Sequence, residues 1–80
     1  KTVDAMFASP DVVLRVGDKG ADVRVLQLIL AMFGKMIMHD GIFGQGTQKA
    51  LKNQQRLLGV TVDGIFGPDT RSKMLKRPKI

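Results

Sequence analysis

No cysteine, tryptophan or tyrosine occurs among the 80 residues. Without Cys there is neither a disulfide framework nor thiol chemistry, and cysteine usage leaves the redox compartment open. Four Phe are the only aromatic residues, which leaves few platforms for stacking nucleic-acid bases. His39 is the sole histidine, so a three-histidine zinc site cannot be built, nor a Ser–His–Asp triad with spare partners. Next to Asp40 it reads as a connector residue near a turn. Acidic residues are scarce too, seven against thirteen Lys and Arg. Long apolar runs are missing: the densest stretch, residues 23–33, is interrupted by Arg24 and Gln27. It falls well short of the roughly 20 residues that span a bilayer. No secretory leader pattern is visible, and the first residue, Lys1 rather than Met, reads as a module taken from a longer protein.

What remains is an ordinary globular composition. Hydrophobic residues make up 44% of the chain, which argues against disorder and for one small domain. The net charge is +6, with the excess in the second half at Lys49, Lys52, Arg56, Arg71, Lys73, Lys76, Arg77 and Lys79. That balance favours polyanionic partners such as nucleic acid, anionic membrane surfaces or bacterial wall polymers. A solvated tail and solvated helix faces explain any single one of these charges more simply.

The most informative feature is the pentapeptide DGIFG. It occupies residues 40–44 and again 63–67, each copy followed at the same offset by a Thr, Thr47 and Thr70. Around it the apolar periodicity predicts three helices. Over residues 21–33, Val23, Leu26, Leu30 and Phe33 recur at helical spacing and Gly34 is a natural terminator. Gly17 and Gly20 mark a turn before this helix, with Asp18 and Asp22 placed near its start. A second helix covers 45–58, with Ala50, Leu51 and Leu58 on one stripe and Gly59 at its end. The third runs from Pro68, a residue suited to the first helical position, to about residue 76, with Thr70 and Met74 on one face. Gly20 aligns with Gly44 and Gly67 as a fainter third copy. The expected fold class is all-α, a small three-helix bundle with two DGIFG turn–helix repeats. Residues 1–13 are expected to be an arm or linker, 14–77 the domain and 78–80 a tail.

Each residue of the turn has a physical reason. The Asp carboxylate can fold back onto backbone N–H groups one to three residues ahead. The first Gly tolerates positive φ, and the second lets the chain enter the helix without a Cβ clash. Phe43 and Phe66 supply apolar anchors between helices. All of this is scaffold. The same turns could also leave helix-terminal N–H groups facing outward and border a groove for a ligand. Both readings stand at this level.

The ordered set Leu14, Gly17, Gly20, Val23, Leu26 and Gln27, followed by both Asp-Gly-x-x-Gly-x-x-Thr units, resembles the peptidoglycan-binding domain of bacterial and phage cell-wall hydrolases. The resemblance covers about residues 14–75. It implies a three-helix, non-catalytic module that anchors a covalently attached hydrolase to murein, in the bacterial wall or periplasm, whether secreted or released by a phage. It implies a monomer with no cofactor, no metal, no nucleic acid and no membrane insertion. The implied ligand region comprises Asp40, Gly41, Ile42, Phe43, Gly44 and Thr47, with Asp63, Gly64, Ile65, Phe66, Gly67 and Thr70. Within it, Asp and Gly would shape the turns while backbone N–H groups and Thr hydroxyls meet the ligand.

Two features depart from the family pattern. Gln54-Gln55 stands where Phe-Gln is common, so a polar amide at Gln54 would need partners at the core edge, with the arm of residues 1–13 as a candidate. Val25, Leu28 and Met32 form a second apolar stripe on the first helix, to be covered either by Met6 or Phe7 or by a neighbouring domain. Two rival functions remain, a protein–protein interaction module using that stripe and a basic nucleic-acid-binding domain. No catalytic constellation is present to support an enzyme.

Overall fold

A computed structural model describes residues 12–75. The three expected helices are present as α1 (Ala21–Met32), α2 (Gln45–Leu58) and α3 (Pro68–Leu75). The described residues contain no named strand, only two isolated antiparallel bridges, Leu14 with Phe66 and Lys19 with Ile42. Helix α2 packs against both α1 and α3. The expected arm and tail fall largely outside the described residues, as do Met6 and Phe7; Val12, at the arm's end, packs against the core.

The core stripe of α1 differs from the expected one at a single position. Val23, Leu26 and Leu30 are buried as expected, but Phe33 is 43% exposed and Ile29 is buried instead. The cause is where the helix stops. The N–H of Gly34, at φ +88°, donates to the Ala31 carbonyl (2.9 Å) and that of Lys35 to the Leu30 carbonyl (3.0 Å). This paired closure, with a left-handed glycine just past the helix, ends α1 at Phe33, whose N–H still donates to the Ile29 carbonyl (3.2 Å), so Phe33 stands at the exposed end of the stripe. Helix α2 ends the same way, through Gly59 and Val60 bonded to Arg56 and Gln55. On α1, Val25 is half-buried while Leu28 and Met32 are exposed.

Residues 14–20 form a strap across both DG turns. Leu14 exchanges backbone hydrogen bonds with Phe66 at 3.1 and 2.8 Å. Further along, Gly17 N–H donates to the Phe43 carbonyl (3.1 Å), Gly20 N–H to Gly41 (2.9 Å), and Phe43 N–H to Asp18 (2.9 Å). The strap is also the third repeat. Gly17, Gly41 and Gly64 all have positive φ, at 104°, 75° and 73°, each three residues before the glycine that opens a helix. Those opening glycines, Gly20, Gly44 and Gly67, each accept a backbone bond from the residue four ahead, Arg24, Gln48 and Arg71. Asp18 does not cap α1; its carboxylate accepts from the Arg15 N–H at 2.9 Å and closes the strap's own turn.

Candidate functional site

Each DG turn is built around a buried glutamine from the helix that precedes it. Gln27 of α1 is 1% exposed. Its Nε2 lies 3.0 Å from the Asp40 carboxylate, 3.0 Å from the Ile42 carbonyl and 3.1 Å from the Thr47 hydroxyl oxygen, so two N–H bonds serve three acceptors. Its Oε1 accepts the Gly41 N–H at 2.9 Å. Gln55 of α2 is fully buried and does the same. Its Nε2 reaches Asp63 (2.9 Å), the Ile65 carbonyl (3.0 Å) and Thr70 (2.9 Å), and its Oε1 accepts the Gly64 N–H (2.9 Å) and the Asp63 N–H (3.2 Å). The residue pair Gln27–Asp40 is separated by 13 positions in sequence and Gln55–Asp63 by 8. The same cage is therefore reached through connectors of different length.

The aspartates act as expected. Asp40 accepts from the Ile42 N–H at 3.0 Å and Asp63 from the Ile65 N–H at 2.9 Å. These backbone bonds, followed by the glutamine amides, hold both carboxyls below the ordinary aspartate value. Both groups stay ionised at neutral pH and are poor general acids. Phe43 and Phe66 are buried anchors, each full burial contributing about 1.5–3 kcal/mol.

Two expectations about the turns need correction. The glycines Gly44 and Gly67 have open space where a Cβ would stand, so no clash requires them. Within the pentapeptides themselves the N–H groups are also engaged, which leaves only the first helical N–H groups of α2 and α3 for the expected outward-facing role. Gly41 donates to Gln27, Ile42 to Asp40, Phe43 to Asp18 and Gly44 to the Ile42 carbonyl. In the second turn Gly64, Ile65, Phe66 and Gly67 donate to Gln55, Asp63, Leu14 and the Ile65 carbonyl.

The twelve candidate residues thus divide by burial. Gly41, Phe43, Gly64 and Phe66 are buried, and Thr47 and Thr70 are 5% and 4% exposed with their oxygens held by glutamine. Asp40, Ile42 and Asp63 are exposed, while Gly44, Ile65 and Gly67 are half-buried. Each turn borders its own depression, and the two share no lining residue. The first, about 740 Å³, lies between the connector 34–38 and the start of α2, floored by Gln27, Thr47 and Ala50. The second, about 330 Å³, lies beside Asp63, Ile65 and the start of α3.

The glutamine cages were the part sequence reasoning missed. In the sequence Gln27 stands out only as a motif position, and at the second site the departure at Gln54 is more conspicuous than Gln55. Gln54 is buried as anticipated, but its suggested partner, the arm, lies mostly outside the described residues. The available signal was a Gln on each helix ahead of each DG unit, an amide able to donate and accept at once. His39 is exposed on the connector, and among the described residues no cluster of His, Asp or Glu could hold a metal ion.

A three-helix module with paired turn cages and shallow surface depressions defines a small binding domain. The sequence model of the peptidoglycan binding domain family matches residues 19–74, and the chain belongs to that family. It is a binding module, not a catalytic one. Among curated proteins, the spore cortex-lytic enzyme of Oceanobacillus iheyensis is 38% identical over 74 residues, covering 88% of this chain and 26% of that protein. The spore cortex-lytic enzyme of Halalkalibacterium halodurans is 40% identical over 72 residues, covering 86% and 21%. The chain spans about a quarter of the length of these relatives. Among solved structures, the SleB N-terminal domain superposes with a TM-score of 0.77 at 38% identity, covering 80% of this chain and 89% of that domain. The endolysin of Burkholderia phage AP3 superposes with a TM-score of 0.77 at 41% identity, covering 79% of this chain and 24% of its own.

Proposed function

We propose that this domain binds bacterial peptidoglycan and holds a covalently attached cell-wall hydrolase on its substrate. Family membership over residues 19–74 carries the reading, and the names of the relatives, spore cortex-lytic enzymes and a phage endolysin, supply the kind of enzyme attached. The domain works in the wall or periplasm as a monomer, without cofactor or metal. It does not insert into a membrane, and no described helix is long and apolar enough to cross one. Within the twelve-residue ligand region, the six buried or nearly buried residues set the shape. Asp40, Ile42 and Gly44 of the first turn and Asp63, Ile65 and Gly67 of the second are the members left at the surface.

A pull-down on purified sacculi, run beside heparin and DNA at matched salt, tests this reading. Retention on sacculi alone is expected. Equal, salt-labile retention on every polyanion would reduce the interaction to the net charge of +6. Retention on none would favour a protein partner on the exposed Leu28 and Met32 face of α1.

A further inference from the structure

The two DG turns are alike in their hydrogen bonds but not in the surface beside them. The first depression is lined by Lys35, Lys49 and a single carboxylate, Asp40; the second by Asp63 and Asp69 with no Lys or Arg. The first is also the larger, at about 740 against 330 Å³. Its wall is the connector, whose Met36 is 99% and Met38 75% exposed, with Ile42 opposite them at the turn. The Lys35 ammonium donates to the Asn53 side-chain oxygen at 2.6 Å, which ties the connector to α2 and holds that cation at the rim. Such a surface offers positive charge beside flexible thioethers, which adapt to small apolar groups.

We infer that the first depression alone is the ligand site, and that it takes the carboxylate-bearing stem peptide of peptidoglycan rather than the glycan strand. Lys49 and Lys35 meet the peptide carboxylates, and Met36, Met38 and Ile42 cover its alanine methyls. The second turn keeps the scaffold cage, and its paired aspartates Asp63 and Asp69 repel the same ligand. A carboxylate beside the first depression meets two ammonium groups against the one carboxylate of Asp40, and beside the second it meets Asp63 and Asp69, with Arg15, outside the lining, acting on Asp63. This inference rests on the peptidoglycan reading of the preceding subsection.

The test is a titration of the isotope-labelled chain with a soluble disaccharide–tetrapeptide and with peptide-free glycan, followed by amide NMR, beside retention on intact sacculi. With the tetrapeptide, shifts are expected at residues 35–38, 42, 46 and 49, and Lys49→Glu weakens binding at least tenfold. Lys73→Glu, which makes the same charge change on α3 outside both depressions, leaves binding within twofold. Peptide-free glycan, whose lactyl carboxylates lack the alanine methyls that Met36, Met38 and Ile42 cover, binds at least tenfold more weakly than the tetrapeptide. Shifts centred on residues 61–70, equal losses from the two charge reversals, or equal binding of peptide-free glycan would each overturn the inference. If sacculi retain the wild-type chain while Lys49→Glu binds like wild type, the stem-peptide site is wrong and the wall-binding reading survives. If sacculi do not retain the wild-type chain, both fall.

Discussion

At the first DG turn the chain arrives through residues 33–39, a connector that leaves Met36 and Met38 on the surface and lysines at the edge. At the second it arrives through residues 59–62, and the adjoining depression is smaller and acidic. Inside, the turns are near copies, with a glutamine amide, an aspartate, a left-handed glycine, a buried Phe and a Thr hydroxyl placed alike. The comparison separates two selective demands. The cage must be right twice, because each turn aims a helix; on the single-site inference, the surface has to bind only once.

The sharpest way to break the equivalence is to remove the cages. Gln27→Leu and Gln55→Leu each leave a buried Gly N–H without an acceptor and a Thr hydroxyl without its donor. An unsatisfied buried group costs about 1–3 kcal/mol, so each variant should lose roughly 3 kcal/mol or more in urea denaturation. A Gln27→Leu loss under about a third of the Gln55→Leu loss would show that the second turn alone supports the fold.

Smaller effects are expected from the glycines. Gly64→Val forces a side chain onto φ +73° and brings its Cβ to 2.9 Å from Gln48 Cγ, so it should cost about 1–3 kcal/mol. Gly41→Val, at φ +75° and 3.2 Å from the Gly20 carbonyl oxygen, should fall in the same range, about 1–3 kcal/mol. Gly44→Ala and Gly67→Ala, which meet open space, should each cost less than about 1 kcal/mol, the helix-start preference of Gly over Ala. A stable Gly64→Val chain with full wall binding would refute this account of the turn.

The smallest effect is the pH dependence. Both Asp40 and Asp63 have folded-state pKa values below the ordinary 3.8, so the unfolded chain binds more protons as acid is added. Their contribution to stability is fully present above about pH 5 and is lost as the pH falls through 3.8 and then through the depressed folded values. Melting temperature should therefore be flat from pH 5 to 7 with respect to these groups and decline below about pH 4. Asp40→Asn and Asp63→Asn should each reduce that acid decline, Asp63→Asn slightly more, since the two carboxylates accept equivalent bonds and Arg15 adds attraction at Asp63 alone. A decline abolished by one substitution alone would mark an asymmetry inside the cages.

Much of this was legible because the signals are local. A Gly that needs positive φ, an Asp that accepts from its own turn and a Pro at a helix start act within a few residues. The helix starts accordingly fell where expected, and the alignment of Gly20 with Gly44 and Gly67 located a third repeat. Phe33 was misplaced because periodicity says which face a residue lies on but not whether another element covers that face at the helix end. The glutamine cages were missed because Gln27 acts on a turn 13 residues later, and nothing in its neighbours announces that it is buried.

By itself, then, the sequence determined three helices, two identical turns and the family pattern that joins them, since each depends on contacts between near neighbours. Only the tertiary structure decided what those turns leave available. The glutamine cages took the Gly41 and Gly64 donors, and the strap of residues 14–20 took those of the buried Phe43 and Phe66. The connector and α2 placed lysines beside one copy of DGIFG, and α3 placed a second aspartate beside the other. Identical pentapeptides acquired unlike surfaces because the segments flanking each one, the connector before it and the helix after it, differ and fold back beside it.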